Sequence, residues 1–545
     1  MTAETIYLLL PEFVLIAFAT LIYVAGAFWP GRTGWNLLAI FGLLLSAGML
    51  CLQFNSTSVE NAVLETPASP SIFSGPIIVD FFSIAARAII LGVGVLFVMI
   101  ASRTAASTQE PEFMGSLLLI ICGLNIVALA NDLVLVFLGL ELVSIPTYVL
   151  LFLGSGHVER YAAQRQEAAT KYFFLSILSS AVLLYGFSFL YGLSGSTNLF
   201  DAFQILSQSK DVQGTQLFAR LAMVMIFAGL GFRLTVVPFH FYAPDVYQGT
   251  SNPNAGILAV IPKIAALLAL VRIVVVAMPG LEKIGWQLTL AMAIVTMTLG
   301  NLLALWQLNI RRLLAYSSIA HAGYMLIGLS VGFAVSGGAI SPASVDGVGA
   351  TIFYLMVYSL ATAGTFAAIT YLGSDGKQID TVEDLAGLSQ TNPQAAAAIA
   401  VFMFSLTGLP PLAGFWGKFG LLTGALGVDA TSGDLQGGLW PWFLMLSIVT
   451  VINAAISAAY YLRVVAVMYF RPPLSMPHAQ GGVGAAVATF VCAALVIAVG
   501  VYPAPLQGGA NEMSHAARET FQLRASAAVR EADAVRKVAA VSETE

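Results

Sequence analysis

The chain has 545 residues, of which 58% are hydrophobic and only 9% charged, with a formal net charge of −5. Soluble domains carry roughly 25% charged residues, so this composition and a mean hydropathy of +0.87 exclude an ordinary soluble enzyme and describe an all-α polytopic membrane protein. The small net charge, spread without a basic stripe, gives no sign of nucleic-acid binding.

A helical span needs about 20 apolar residues. About fourteen stretches qualify: 5–28, 34–54, 77–101, 112–130, 132–153, 168–193, 217–242, 253–278, 286–306, 312–335, 347–373, 393–427, 440–470 and 485–506. No Lys or Arg precedes Arg32, a poor start for a cleaved signal, so the first stretch is expected to be a retained span. Bases in the short loops set orientation. Arg32, Arg103, Arg160, Arg165, Arg311, Arg312, Lys377 and Arg471 fall on odd-numbered connections, against only Lys210, Arg220 and Lys283 on even ones. Odd connections therefore face the cytoplasm, and both termini are expected on the outer side. The tail 507–545 alternates Ala, Val and charge, as an amphipathic surface helix or a frayed terminus would. Cys51, Cys122 and Cys492 each stand alone in apolar surroundings. They read as small buried hydrophobes, not as metal ligands or disulfides.

Most span centres are free of charge, and four residues stand out: Glu141 in FLGLELVSIPTYVL, Arg233 in GLGFRLTVVPFH, Lys263 in GILAVIPKIAALLAL and Lys418 in GLPPLAGFWGKF. Each costs about 2.5–3.5 kcal/mol at the bilayer centre by insertion scales. A chain keeps such residues only where they pair or meet water. Each also lies near a proline: Pro146, Pro238, Pro262, and the pair Pro410 and Pro411. A proline inside a helix frees the carbonyl four residues earlier, which for Pro238 is that of Leu234. Broken helices beside ionisable residues are the usual construction of an ion pathway. His240 and His321 also lie on spans; each alone fits a helix–helix hydrogen bonder, and together with the charges they fit secondary positions of a polar axis. Lys171 begins a span, where it either joins that axis or snorkels to the interface.

The long spans 217–242 and 393–427 each combine a base with an interior proline break, about five spans apart. The spacing predicts two inverted five-helix repeats, 112–278 and 286–470, each with a broken helix. The remaining parts are helices 1–3 in 1–111, a last span at 485–506, and the tail 507–545. No clustered cysteines, P-loop or strand–GxGxxG–helix unit occurs, so no cofactor is expected on this chain. GGVGAAVATF (481–490) reads as a linker with close helix packing.

FLGLELVSIPTYVL, KYFFLSILSSAVLLYGFSFLYG, VPFHFYAPDVYQG, RRLLAYSSIAHAGYMLIG, GLPPLAGFWGKF and AAYYLRVV, in this order, resemble the antiporter-like membrane subunits of respiratory complex I over about 112–470. The subunit N branch is the most similar: the M branch usually has an acid where Lys418 stands, and the long lateral helix of the L branch has no counterpart here. The resemblance implies fourteen helices and a proton pathway through Glu141, Arg233, Lys263 and Lys418, with His240, His321 and Lys171 beside it. It further implies neighbouring subunits M and K, and partner subunits that hold NADH, FMN, iron–sulfur clusters and quinone. It places the chain in a bacterial inner membrane, as a non-redox subunit of a proton-translocating NADH:quinone oxidoreductase. Multi-subunit sodium/proton antiporters share many of these motifs and stay open as the alternative. Position 233 is usually lysine. Arginine does not give up its proton, so Arg233 is expected to be a fixed counter-charge for Glu141, or else the mark of an inactive channel in an assembly scaffold.

Overall fold

The computed structural model describes residues 3–29, 31, 33–54, 73–74, 76–102, 109–153, 162–208, 213–338, 346–373, 379–429, 438–473 and 481–519. The helices are α1 (Leu10–Phe28), α2 (Trp35–Phe54), α3 (Phe81–Ala101), α4 (Glu110–Leu129), α5 (Leu133–Phe152), α6 (Ala162–Ser194), the short α7 (Leu199–Gln208), α8 (Gln213–Leu234), the short α9 (Ala243–Gly249) and α10 (Asn252–Leu270). They continue with α11 (Glu282–Ala304), α12 (Ile310–Ser336), α13 (Gly347–Tyr371), α14 (Pro393–Thr407), α15 (Ala413–Gly427), α16 (Trp440–Phe470), α17 (Gly482–Val501) and α18 (504–519). A hairpin of two short strands, Phe73–Ser74 and Ile77–Ile78, precedes α3.

Among the described residues thirteen helices are long and apolar enough to cross a membrane. The expected span 393–427 is divided. Helix α14 ends at Thr407, where Gly408 takes φ +92°, a left-handed conformation that glycine adopts without a Cβ clash. Pro410 and Pro411 follow, and the helix resumes only at Ala413. Each half has 15 residues, too short to cross alone. The span 217–242 is divided in the same manner. Helix α8 stops at Leu234, Thr235 takes φ +60°, and Pro238 lies in the irregular stretch before α9.

Pro146 and Pro262 do not break their helices; both sit inside continuous α-helix. Each proline removes one ladder hydrogen bond, which a membrane helix tolerates where neighbours pack around it. Such packing surrounds α10, every residue of which is buried.

Helices α10, α12 and α13 are buried over nearly their whole length, whereas α1, α2, α16 and α17 bury only about a third. The first three form the centre and the others lie at the periphery. Between membrane helices association rests on close packing rather than on expulsion of water. In the α11–α12 pair, a Cβ at Gly323 would lie 2.6 Å from Met297 N, so only glycine lets these backbones approach.

Cys122 and Cys492 are buried, but Cys51 is exposed on α2, because it lies on the outward side of a helix that buries one face. Of the tail, residues up to 519 belong to helix α18, with Ala510, Met513 and Ala517 buried. The rest of the tail lies outside the described residues, as do Arg32, Arg103, Arg160, Lys210 and Lys377 among the orienting bases.

Candidate functional site

The last turn of α8 delivers Arg233 into the protein, where it is only 2% exposed. Its Nη2 donates to Glu141 Oε1 on α5 at 3.0 Å and to Ser180 Oγ on α6 at 3.1 Å. Nη1 donates to Leu140 O at 3.2 Å and to Ser144 Oγ. Ser180 in turn donates to Glu141 Oε1 at 2.5 Å. The expected pairing of Glu141 with Arg233 is thus present. The guanidinium is fixed by four acceptors on two helices, a geometry that a lysine ammonium does not reproduce.

Lys263, fully buried on α10, donates to Leu234 O at 2.9 Å and to Thr235 Oγ1 at 2.8 Å. The carbonyl at the end of α8 is therefore taken up by a lysine. Cations are favoured at helix C-termini, where unpaired carbonyls concentrate negative potential. Lys418 repeats the arrangement at the second break: its Nζ donates to Thr407 O, the last residue of α14, at 2.9 Å. It also lies 4.7 Å from the ring centre of Tyr324, within cation–π range. Among the described residues neither lysine has a carboxylate within salt-bridge distance.

His321 on α12 lies between the two lysines. Its Nδ1 meets Tyr354 Oη at 2.6 Å and its Nε2 meets Tyr461 Oη at 3.0 Å. Tyr461 bonds Ser317, and Ser318 bonds Tyr358 at 2.7 Å. Tyr358 donates to Ala259 O at 3.1 Å, one turn before Lys263 on α10. Tyr324, the ring facing Lys418, packs edge-on against His321 at 5.9 Å. Hydroxyls and imidazole thus form a nearly continuous polar path between the lysines, in the part of the molecule most remote from lipid.

Two expected members stand apart. His240 lies in the stretch between α8 and α9, half-buried and away from the lysines' hydrogen bonds. Lys171 belongs to a half-exposed cluster at the start of α6, 2.7 Å from Glu167 and 3.2 Å from Asp245, which also binds Arg312 at 2.7 Å. Charge and proline alone do not reveal Ser144, Ser180, Thr235, Tyr354, Tyr358 and Tyr461. The signal for the tyrosines is the i, i+4 pair 354/358, which shares one helix face.

Two further buried ion pairs lie outside this axis. Arg87, near the middle of the expected span 77–101, makes a bidentate contact with Glu12 at 3.0 and 2.8 Å. Arg272 binds Asp80 at 2.5 Å and stacks on Phe82. The survey of charges at span centres passes over Arg87, and Arg272 lies toward the end of the expected span 253–278.

Residues 130–435 match the family model described as NADH:quinone oxidoreductase/Mrp antiporter, TM. NADH-quinone oxidoreductase subunit N of Rhodospirillum rubrum is 34% identical over 511 residues, covering 93% of this chain and 96% of the relative. Subunit N of Trichlorobacter lovleyi is likewise 34% identical, over 85% of this chain and 87% of its own. The chain belongs to the subunit N family of NADH-quinone oxidoreductase. A chain of respiratory complex I from Thermus thermophilus superposes with TM-score 0.71 at 30% identity, over 92% of this chain and 99% of that one. A chain of the Mrp complex from Dietzia superposes with TM-score 0.76 at 20% identity, over 96% and 99%. At that identity the Mrp likeness shows a shared fold alone, whereas subunit N relatives share both sequence and length. As a member of this family the chain is a multi-pass membrane subunit of an enzyme complex.

Proposed function

We propose that the chain moves protons across the membrane along the axis Glu141–Arg233–Lys263–His321–Lys418 while other subunits carry electrons from NADH to quinone. The observation that carries this reading is the pair of buried lysines without carboxylate partners, each held at a broken helix end and linked through His321 and tyrosine hydroxyls. A lysine's protonation responds strongly to its surroundings, whereas arginine keeps its charge. Lys263 and Lys418 are therefore the groups that load and release protons. Arg233 is the fixed charge that holds Glu141, and motion of Glu141 changes the potential at Lys263. Backbone carbonyls at the two breaks serve as the resting acceptors of the ammonium groups.

The paired breaks, each with a left-handed residue and a capping lysine, support two five-helix repeats, 112–278 and 286–470. In this reading the chain lies in a bacterial inner membrane with both termini outside, between subunits M and K, and acts as a non-redox part of the translocase. NADH, FMN, iron–sulfur clusters and quinone are held by partner subunits.

The test is Lys263→Ala in the assembled complex, with NADH oxidation and proton uptake measured together in membrane vesicles. Proton uptake per NADH is expected to fall. Unchanged uptake in a correctly assembled complex excludes Lys263 from the path.

A further inference from the structure

We propose that the chain holds one acyl chain of a membrane phospholipid in an apolar slot between α3 and α17, floored by α18. This rests on features independent of the proton axis.

Helices α3 and α17 touch closely at one end, where a Cβ at Gly484 would lie 2.4 Å from Met99 O. Farther along, Gly92 on α3 and Val491 and Leu495 on α17 are exposed. These three residues line the mouth of a cavity of about 380 Å³ that runs inward to α10 and α13. Leu506 and Met513 of α18 close one end. The mouth therefore opens sideways on two helices long and apolar enough to cross the membrane, and the medium it meets there is hydrocarbon.

The lining chemistry selects the occupant. Its two hydroxyls are already spent within the protein: Ser359 donates to Leu355 O at 2.7 Å, and Thr351 lies 3.0 Å from Gly347 O and 3.2 Å from Met325 O. Water needs two to four polar partners, and an apolar cavity stays dry. A quinone or other ligand with a polar head finds no partner for that head. Size agrees with a single hydrocarbon chain. A dry cavity of about 150 Å³ takes the six carbons of benzene, so 380 Å³ corresponds to about fifteen carbons. The far wall includes Ile264, next to Lys263, and Leu355, next to Tyr354. The acyl chain would thus fill the space behind both axis-bearing helices.

Gly92 gives the test, because a Cβ built there meets nothing within 4 Å. A side chain can therefore start at this position without a clash at its Cβ. The assembled complex is reconstituted with phosphatidylethanolamine bearing a diazirine in mid-chain, photolysed, and mapped by peptide mass spectrometry. Labelling is expected on lining peptides of α10 and α13, which have no other access to lipid. Gly92→Trp should lower that labelling at least fivefold. Gly92→Ala should retain it. Labelling around the lipid-exposed Phe174 and Leu178 of α6 should be equal in all three proteins and reports correct folding. Absence of label on α10 and α13 in the wild-type complex, as when a neighbouring subunit fills the slot, overturns the proposal. So does labelling that Gly92→Trp leaves unchanged.

Discussion

Lys263 Nζ lies 2.9 Å from the carbonyl oxygen of Leu234, the residue at which α8 ends. A cation and a helix terminus thus complete one another at membrane depth: among the described residues the lysine has no carboxylate, and the carbonyl has no amide. This contact ties a buried ammonium to a place where the backbone is irregular, so a change in one is felt by the other.

Lys263→Arg separates capping from proton exchange. Arginine still donates to Leu234 O and Thr235 Oγ1, but it does not release its proton near neutral pH. The complex should assemble in normal amount, while proton uptake per NADH falls about as far as in Lys263→Ala. Vesicle measurements of uptake against NADH oxidation check this. Wild-type pumping with arginine at 263 would restrict this residue to capping.

Arg233→Lys should leave pumping at or above the wild-type level, since a cation still faces Glu141. It should also lower stability, because lysine cannot keep the contacts with Leu140 O, Ser144, Ser180 and Glu141 together. Arg233→Ala is expected to be harsher, by about 3 kcal/mol, as when one partner of a buried pair is removed. Thermal denaturation of the purified complex, paired with proton uptake, distinguishes the two effects. Loss of pumping in a fully assembled Arg233→Lys complex would contradict a purely electrostatic role.

Thr235 carries opposing demands. Its φ of +60° costs a β-branched residue about 1–2 kcal/mol relative to glycine, yet its hydroxyl accepts from Lys263 at 2.8 Å. Thr235→Gly should therefore raise thermal stability by an amount of that order, less the lost hydrogen bond of about 1 kcal/mol, and should lower proton uptake. A variant that pumps normally would assign no function to the hydroxyl.

The pair Arg87–Glu12 tests a structural charge against a transporting one. Both side chains are almost fully buried, so Arg87→Leu or Glu12→Leu alone should destabilise the complex by about 3–5 kcal/mol. The double replacement should recover most of that loss, because no charge is left unpaired. Proton uptake per NADH should be unchanged in the double variant. The amount of assembled complex, its melting temperature and its uptake together form the double-mutant cycle.

Hydropathy was enough to locate the spans, because lipid imposes a length and a composition on every crossing. It also marked Glu141, Arg233, Lys263 and Lys418, whose charge is conspicuous against an apolar background. Their partners were harder to see. Leu234 O and Thr407 O are backbone atoms, and no residue type announces them. Ser144, Ser180 and Tyr461 are ordinary membrane-helix residues, and their role follows only from which helices pack together. The proline rule succeeded at Pro238 and at Pro410–Pro411 but failed at Pro146 and Pro262, where helix packing outweighed one missing hydrogen bond. Arg87 was visible as an arginine within a long apolar run, and the survey of span centres should have included it.

The burial of α10, α12 and α13 has a consequence for synthesis. Each of these helices leaves the insertion machinery before part of the chain that packs against it exists. Lys263 finds its acceptor 29 residues upstream, and Arg233 finds Glu141 92 residues upstream, so both contacts close as the nascent chain lengthens. Arg311 waits 69 residues for Asp380, and His321 waits 140 residues for Tyr461. The two ends of the axis therefore mature at different times. A ribosome stalled before residue 380 carries the Glu141–Arg233 pair already formed, while Arg311 holds Thr250 O but still lacks its carboxylate.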